Sequence, residues 1–446
     1  MIMRAIPLLL ASVLTAGGAA AVVTMRPSAG IVWLGHHSPR VGPDSGRVAI
    51  LLGAMGRTDP VVCELISDQL GNFWTSGERA RIGRLDDARS AIQSAKDSVG
   101  GEVTDAGALK LLAATLSNDD PCVRRLAAKM LGRSAISDDR LGDLLRDRLP
   151  RVREAAALAA GEGDRKDVRV VLETMLNDAN PAPATMAAWA LGDIEDHASL
   201  SALERAVRAG TGRLRIAAIW ALGQMEDARA APDVIPALRD ADPGMRLVVA
   251  EALGQMKSKE SSVALIGALN DRAAEVRAAA VRSLGDLEEH GAVVPVERLL
   301  ASDGDVDVRR AAAKTLGNLS AARSADVLAR ALSDQDAEVR RAAAEAIGDL
   351  DDLHVAPEAL TRALSTTDPE LRRSVVHALK NIADPLTATS LMSVLTDPDK
   401  DIRLAAVEAL GEIGNSAAVS GLTRALKDID PEVRRAAAEA LGRNKD

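Results

Sequence analysis

Residues 430–442 read DPEVRRAAAEALG. Asp430 has a side chain suited to capping free N–H groups, and Pro431 fits the first helical position, where its missing donor costs nothing. The spacing predicts a helix through Leu441, with Gly442 supplying a left-handed turn at its end. Just upstream, Val419, Leu422 and Leu426 recur at helical spacing, so a partner helix is predicted over 417–426. The two make a hairpin that cannot cover its own apolar faces.

The same phrase recurs along the chain. Working towards the N-terminus, it appears as KDIRLAAVEALG ending at Gly411, PELRRSVVHALK at Lys380, AEVRRAAAEAIG at Gly348 and VDVRRAAAKTLG at Gly317. It continues as AEVRAAAVRSLG to Gly285, PGMRLVVAEALG to Gly254, GRLRIAAIWALG to Gly223, PATMAAWALG to Gly192, RVREAAALAAG to Gly161 and PCVRRLAAKMLG to Gly132. Successive marks stand 29 to 32 residues apart, most often 31, which gives eleven units over 102–446. One further match, DPVVCELISDQLG, ends at Gly71 and defines a first unit over 47–71. Residues 72–101 are an insertion or a degenerate repeat, with a helix predicted over 78–97. Stacked hairpins bury a continuous core, so the fold class is all-α, an array of about twelve helical hairpins.

Composition agrees. The chain has 446 residues with four Trp, one Phe and no Tyr. Without aromatic fillers, apolar area must be buried by Ala, Leu, Val and Ile, which suits thin layers of closely approaching helices. The 55 basic and 64 acidic residues leave a net charge of −9, which opposes a general nucleic-acid or anionic-membrane binder.

The N-terminus has its own pattern. Arg4 is followed by the uncharged run Ala5–Met25, most apolar over Ile6–Leu14 and ending in small residues around Ala19-Ala20-Ala21. This reads as a secretory signal peptide over 1–21; the competing reading is an uncleaved anchor extending to 25. Residues 22–46, with Pro27, Pro39 and Pro43, read as a linker. The body is expected to be exported, periplasmic or extracellular.

The D-P-x-V-R-x-A-A-x-x-A-L-G signature resembles the HEAT repeat, specifically its short 31-residue bilin-lyase-type (PBS lyase HEAT-like) subfamily, over about 48–446. The resemblance implies a right-handed α–α superhelix whose second helices line a concave binding face. The opening VAILLGAMGRTDPVVCEL also resembles secreted bacterial HEAT proteins, some of which accompany signal-transducing membrane metallopeptidases.

Two sets of residues follow. The recurrent Arg, including Arg277, Arg340, Arg372 and Arg434, is read as structural: its fork can bond a turn carboxylate of its own or the next unit, such as Asp271, Asp336, Asp368 or Asp430. The family's concave positions, one, four, five and nine residues after that Arg, vary here. They place Thr185, Trp189, Ile216, Ile219, Trp220 and Leu247 in a candidate apolar patch for a protein or peptide, although both indoles could instead fold down as packing. Towards the C-terminus Arg310, Arg341, Arg373 and His377 form either a solvated mixed-charge surface or a rim that orients the partner.

Enzyme readings find little support. None of the six His is followed by Glu, as the di-iron hydroxylases built on this scaffold require, and no zinc, nucleophile-elbow or phosphate-loop motif occurs. No metal or cofactor is expected. Cys63 and Cys122 are a candidate disulfide if residues 72–101 loop out; a full repeat there would hold them apart. The expected function is a non-enzymatic scaffold. The alternatives are a bilin-lyase or isomerase-like subunit and a membrane-tethered sensor of a signalling metallopeptidase system.

Overall fold

The computed structural model describes residues 44–55, 102–319 and 322–443. The signal or anchor segment, most of the linker, residues 72–101 and Cys63 lie outside these. The chain divides into two compact units between Ala221 and Leu222.

The first unit contains α1 (Ser45–Met55), α2 (Ala106–Thr115), α3 (Pro121–Gly132), α4 (Asp138–Leu145), α5 (Pro150–Glu162), α6 (Arg169–Met175), α7 (Pro181–Ile194), α8 (Leu200–Ala209) and most of α9 (Gly212–Gln224). Within it α3 packs on α5 and α5 on α7. The second unit runs through α10 (Ala231–Val234), α11 (Pro243–Gln255), α12 (Lys259–Ala268), α13 (Ala274–Asp286), α14 (Val293–Ser302), α15 (Val306–Asn318), α16 (Ala325–Ala331) and α17 (Ala337–Gly348). It ends with α18 (Glu358–Ala363), α19 (Pro369–Ile382), α20 (Ala388–Leu391), α21 (Lys400–Ile413), α22 (Ser416–Ala425) and α23 (Pro431–Arg443). There the second helices pack in chain order, α11 on α13 and onward to α21 on α23. The fold is an all-α array of helical hairpins.

The second helices start where the Asp-Pro steps predict. Asp120, Asp242 and Asp368 each accept a backbone N–H through the side chain with Pro at the next position, an arrangement worth about 1 kcal/mol per helix. Several first helices open with a 3₁₀ turn, as at His290–Ala292 before α14. Ala triplets such as Ala311–Ala313 and Ala342–Ala344 are buried on the second helices.

One expectation is corrected. The repeat glycine does not supply the left-handed turn; Gly442 lies inside α23. The positive φ falls a few residues later, at Asp164, Glu195, Glu226, Lys257, Glu288, Asp352, Ala383 and Gly414. The glycine is a contact surface instead. A Cβ on Gly348 would lie 2.7 Å from the Ala378 Cα, and one on Gly317 would lie 2.9 Å from the Ala346 Cα. The missing side chain lets the following second helix approach backbone to backbone.

Candidate functional site

The recurrent arginine forms the joint between hairpins. Arg277 Nη1 donates to the Asp271 carbonyl of its own turn at 2.9 Å, while Nε and Nη2 donate to the two Asp303 carboxylate oxygens at 2.8 and 2.7 Å. Asp303 also accepts the Asp305 N–H at 2.9 Å, so one carboxylate fixes its own turn and holds the preceding hairpin. The same two-sided grip links Arg153 to Asp178, Arg246 to Asp271, Arg309 to Asp334, Arg372 to Asp397 and Arg403 to Asp428. The carboxylate therefore comes from the next turn. The acids just before each Arg do other work: Asp336 and Asp368 cap α17 and α19. Among the described residues, Arg340 and Arg434 bond to carbonyls of their own turns and to no carboxylate. Ser365 and Thr366 stand 25 and 26 residues after Arg340, the positions from which the six joints draw their Asp.

The forks shift the carboxylates. Asp271 and Asp428 lie below the ordinary value of 3.8, chiefly because Arg246 and Arg403 hydrogen-bond their charged forms. At Asp303 burial pushes upward, but Arg277 and the Asp305 N–H together outweigh it.

The apolar patch is corrected. Trp189 is 5% exposed and Ile219 is fully buried, so neither belongs to an open surface. Trp189 and Trp220 do meet: their rings stack with centroids 4.0 Å apart and planes 14° from parallel. The cause lies at Gly192, where a Cβ would come within 2.7 Å of the Trp220 ring. That empty space lets Trp220 lie across the α7–α9 joint, half-buried, with Trp189 beneath it. The position four residues after the Arg faces into the joint, as buried Ala188 and Val281 also show. Thr185 is half-buried and donates to the Pro181 carbonyl at 2.7 Å. Ile216 and Leu247 are half-buried.

In the second unit the rim arginines are engaged locally. Arg310, Arg341 and Arg373 pair with Asp307, Glu338 and Glu370, each three residues earlier. Arg373 also reaches Asp399 at 2.9 Å. His377 is exposed. Nearby, Lys380, Glu408, Glu412, Ala436, Glu439 and Arg443 line a recess of about 220 Å³, crossed by the Lys380–Glu408 pair at 2.7 Å.

A charged cluster beside the indoles went unread in the sequence. Lys129, 4% exposed, sits five residues after its repeat Arg, the position that Trp189 and Trp220 occupy in theirs. Burial lowers its pKa to about 8 despite Glu162, whose carboxylate is 3.5 Å away and is also held by Arg133 at 2.9 Å. Asp193 is pushed up to about 7, first by desolvation and then by Glu162 and Glu195. Asp193 is exposed as a residue, but its Oδ2 lies within 3.1 Å of where a Gly161 Cβ would stand, so the carboxyl end is turned against α5. The one available signal was a Lys heading a row that continues as Leu158, Trp189 and Trp220.

Among the described residues no group of three or more His, Cys, Asp or Glu is placed to hold a metal. No helix among them is long and apolar enough to cross a membrane. Cys122 begins α3 behind the Asp120 cap and carries no free thiol; its candidate partner, Cys63, lies outside the described residues.

Comparison with known proteins completes the assignment. The HEAT-repeat family profile matches six overlapping stretches: 138–215, 204–285, 264–348, 293–380, 331–396 and 388–446. The chain belongs to the HEAT-repeat family. As a HEAT protein it has solved structural neighbours. A crystal structure of importin beta is 17% identical with a TM-score of 0.53, covering 89% of this chain and 64% of its own. Kap95p, whose binding induces the switch loops of RanGDP to adopt the GTP-bound conformation, is 13% identical with a TM-score of 0.50, covering 86% of this chain and 60% of its own. An engineered protein is 21% identical over 76% of this chain and 99% of its own, with a TM-score of 0.45. The chain thus spans less than two thirds of the length of importin beta or Kap95p. No curated protein matches it.

Proposed function

We propose that this HEAT protein is a non-enzymatic scaffold that holds a protein or peptide on the outward faces of its second helices. One observation carries the reading. The residue five after the repeat Arg is exposed at Glu251, Arg282, Lys314, Glu345 and His377 in successive hairpins of the second unit, and Glu408 and Glu439 continue the row. The joint residues keep one chemistry while this row mixes acids, bases and a histidine. A solvent-exposed and chemically varied row is suited to reading a partner's side chains. The half-buried Trp220 adds an aromatic anchor in the first unit.

The finer assignments belong to the same proposal: the short 31-residue subfamily, export by the N-terminal segment, no cofactor, no nucleic-acid partner, and membrane attachment only through an uncleaved anchor.

Photo-crosslinking in the native cell tests the scaffold reading. A crosslinker at position 345 or 377 should capture one discrete protein, whereas one at exposed Val263 on α12 should not. Equal labelling from both faces, or none from either, would dismiss it. N-terminal sequencing of the periplasmic form should begin after Ala21; a full-length chain confined to the cytoplasm would overturn export.

A further inference from the structure

A joint in the interior of the second unit has its arginine but lacks its acid. Elsewhere the joint acid is marked by two backbone contacts. Its side chain accepts the N–H two residues on, and its carbonyl accepts Nη1 of the next repeat Arg. Asp303 does this with Asp305 and Arg309 at 2.9 and 3.0 Å, and Asp397 with Asp399 and Arg403, both at 2.9 Å. In the turn between α18 and α19 that place belongs to Thr366. Its Oγ1 accepts the Asp368 N–H at 3.3 Å, and its carbonyl accepts Arg372 Nη1 at 2.7 Å. Thr366 therefore keeps the turn but brings no carboxylate to the preceding arginine, Arg340.

Arg340 is nonetheless held as the others are. Its Nη1 donates to the Asp334 and Gln335 carbonyls at 2.8 and 3.0 Å, just as Arg309 Nη1 donates to the Asp303 and Gly304 carbonyls at 3.0 and 3.4 Å. Anchored in that way, the guanidinium turns its Nε and Nη2 edge to the next turn, where Arg309 finds Asp334 and Arg372 finds Asp397. The acids nearby are committed: Arg309 holds Asp334, and Asp368 caps α19. A Cβ on Gly348 would still lie 2.7 Å from the Ala378 Cα, so α17 and α19 have not drawn apart. A Thr hydroxyl is shorter by a bond than an Asp carboxylate oxygen, which leaves in front of this fork the space that the acid fills elsewhere. The approach is open, because Gln335, Ser365 and Thr367 are exposed while Arg340 and Thr366 are half-buried.

We propose that the Arg340 fork is a binding site for a carboxylate from outside this turn, carried by a small free acid or by an acidic side chain of a bound chain. The chemistry is that of the six filled joints, two coplanar oxygens meeting Nε and Nη2. The own-turn bonds already fix the guanidinium, so little side-chain freedom is lost when the anion arrives.

The test follows the Arg340 Nε–Hε signal by NMR in the full chain carrying isotope-labelled arginine; the signal is the one that Arg340→Gln removes. Acetate is titrated in place of chloride at constant ionic strength, which holds general screening fixed. The Arg340 signal should move saturably, while those of Arg309 and Arg372, whose forks are filled, should stay. Thr366→Asp should shift the signal without any ligand and abolish the acetate response. Thr366→Ser, which keeps the hydroxyl, should retain that response. The blocked peptide acetyl-Ala-Asp-Ala-amide separates the two sources. Binding about tenfold tighter than acetate assigns the site to an acidic residue of a bound chain, and binding no tighter assigns it to a small free acid. Only this comparison rests on the scaffold reading, which can fail while acetate still fills the fork. No saturable movement at Arg340, equal movement at Arg309 and Arg372, or a response that survives Thr366→Asp overturns the proposal.

Discussion

Arg246 donates to Asp271 through two hydrogen bonds, 2.7 Å from Nε and 2.8 Å from Nη2, and holds its own turn through Nη1. Both side chains are nearly closed to solvent, at 4% and 12% exposed. Removing only the cation leaves a buried carboxylate without its main partner. Arg246→Ala should therefore cost about 3 kcal/mol. Arg340, which meets only carbonyls, should cost about 1 kcal/mol when changed to Ala. Urea unfolding of the two variants measures the difference, and equal losses would mean that the carboxylate contributes nothing to the joint.

The same forks set an acid limit. Asp178, Asp271, Asp334 and Asp428 all lie below the ordinary 3.8, held down first by hydrogen bonds from their Arg partners. A depressed folded value means that the stabilisation is complete above the ordinary value and is lost as pH falls through the depressed ones. The joints' contribution to the thermal midpoint should be constant around pH 5 and fall steeply below about pH 4. Asp271→Asn should make that fall shallower. An unchanged acid slope would remove the joints from the account.

The hairpins were legible because Asp-Pro starts and apolar spacing are local and recur many times. The role of the repeat glycine was not. A glycine after a helix satisfies a local rule for left-handed ends, but here the neighbouring helix decides, and its approach at Ala378 or Ala346 has no trace within one repeat. The Trp189–Trp220 pair was legible as a pair, since 31 residues separate two equivalent positions, but its stacking depends on how the gap at Gly192 of α7 meets Trp220 of α9. Lys129 and Asp193 needed three helices to be placed before burial and charge could be judged.

Close approach makes a second contrast between glycines. Gly348→Ala forces a Cβ to within 2.7 Å of the Ala378 backbone, so α17 and α19 must separate. The cost should be about 1–3 kcal/mol. Gly267→Ala, inside α12 with nothing within 4 Å, should instead stabilise by about 0.5–1 kcal/mol. Calorimetry should show midpoints moving in opposite directions; movement in the same direction would contradict the contact.

Ala383 adopts φ +50° after α19, the place where Gly414 serves α21 at φ +63°. An L-residue with a Cβ is strained there by about 1 kcal/mol. Ala383→Gly should recover part of that, raising the thermal midpoint slightly, whereas Ala383→Val should lower it. A loss with Gly would show that the unfolded chain's added freedom outweighs the relieved strain.

Asp193 should act opposite to the joint carboxylates. Its folded pKa is raised to about 7 by burial and by Glu162 and Glu195. The folded state therefore holds a proton that the unfolded state releases near 3.8. Stability should fall as pH rises from about 4 towards 7 and level off above that, a window in which the Arg-bound carboxylates are already ionised and contribute no slope. Asp193→Asn keeps the shape and removes the charge. It should leave stability at about pH 4 unchanged and raise it at about pH 8, by on the order of 1 kcal/mol once screening at this exposed residue is counted. Denaturant midpoints for both chains across that range decide the matter. Parallel curves would show that the carboxyl ionises at its ordinary value and that Lys129 neutralises the cluster; curves that converge at low pH would place the proton on Asp193.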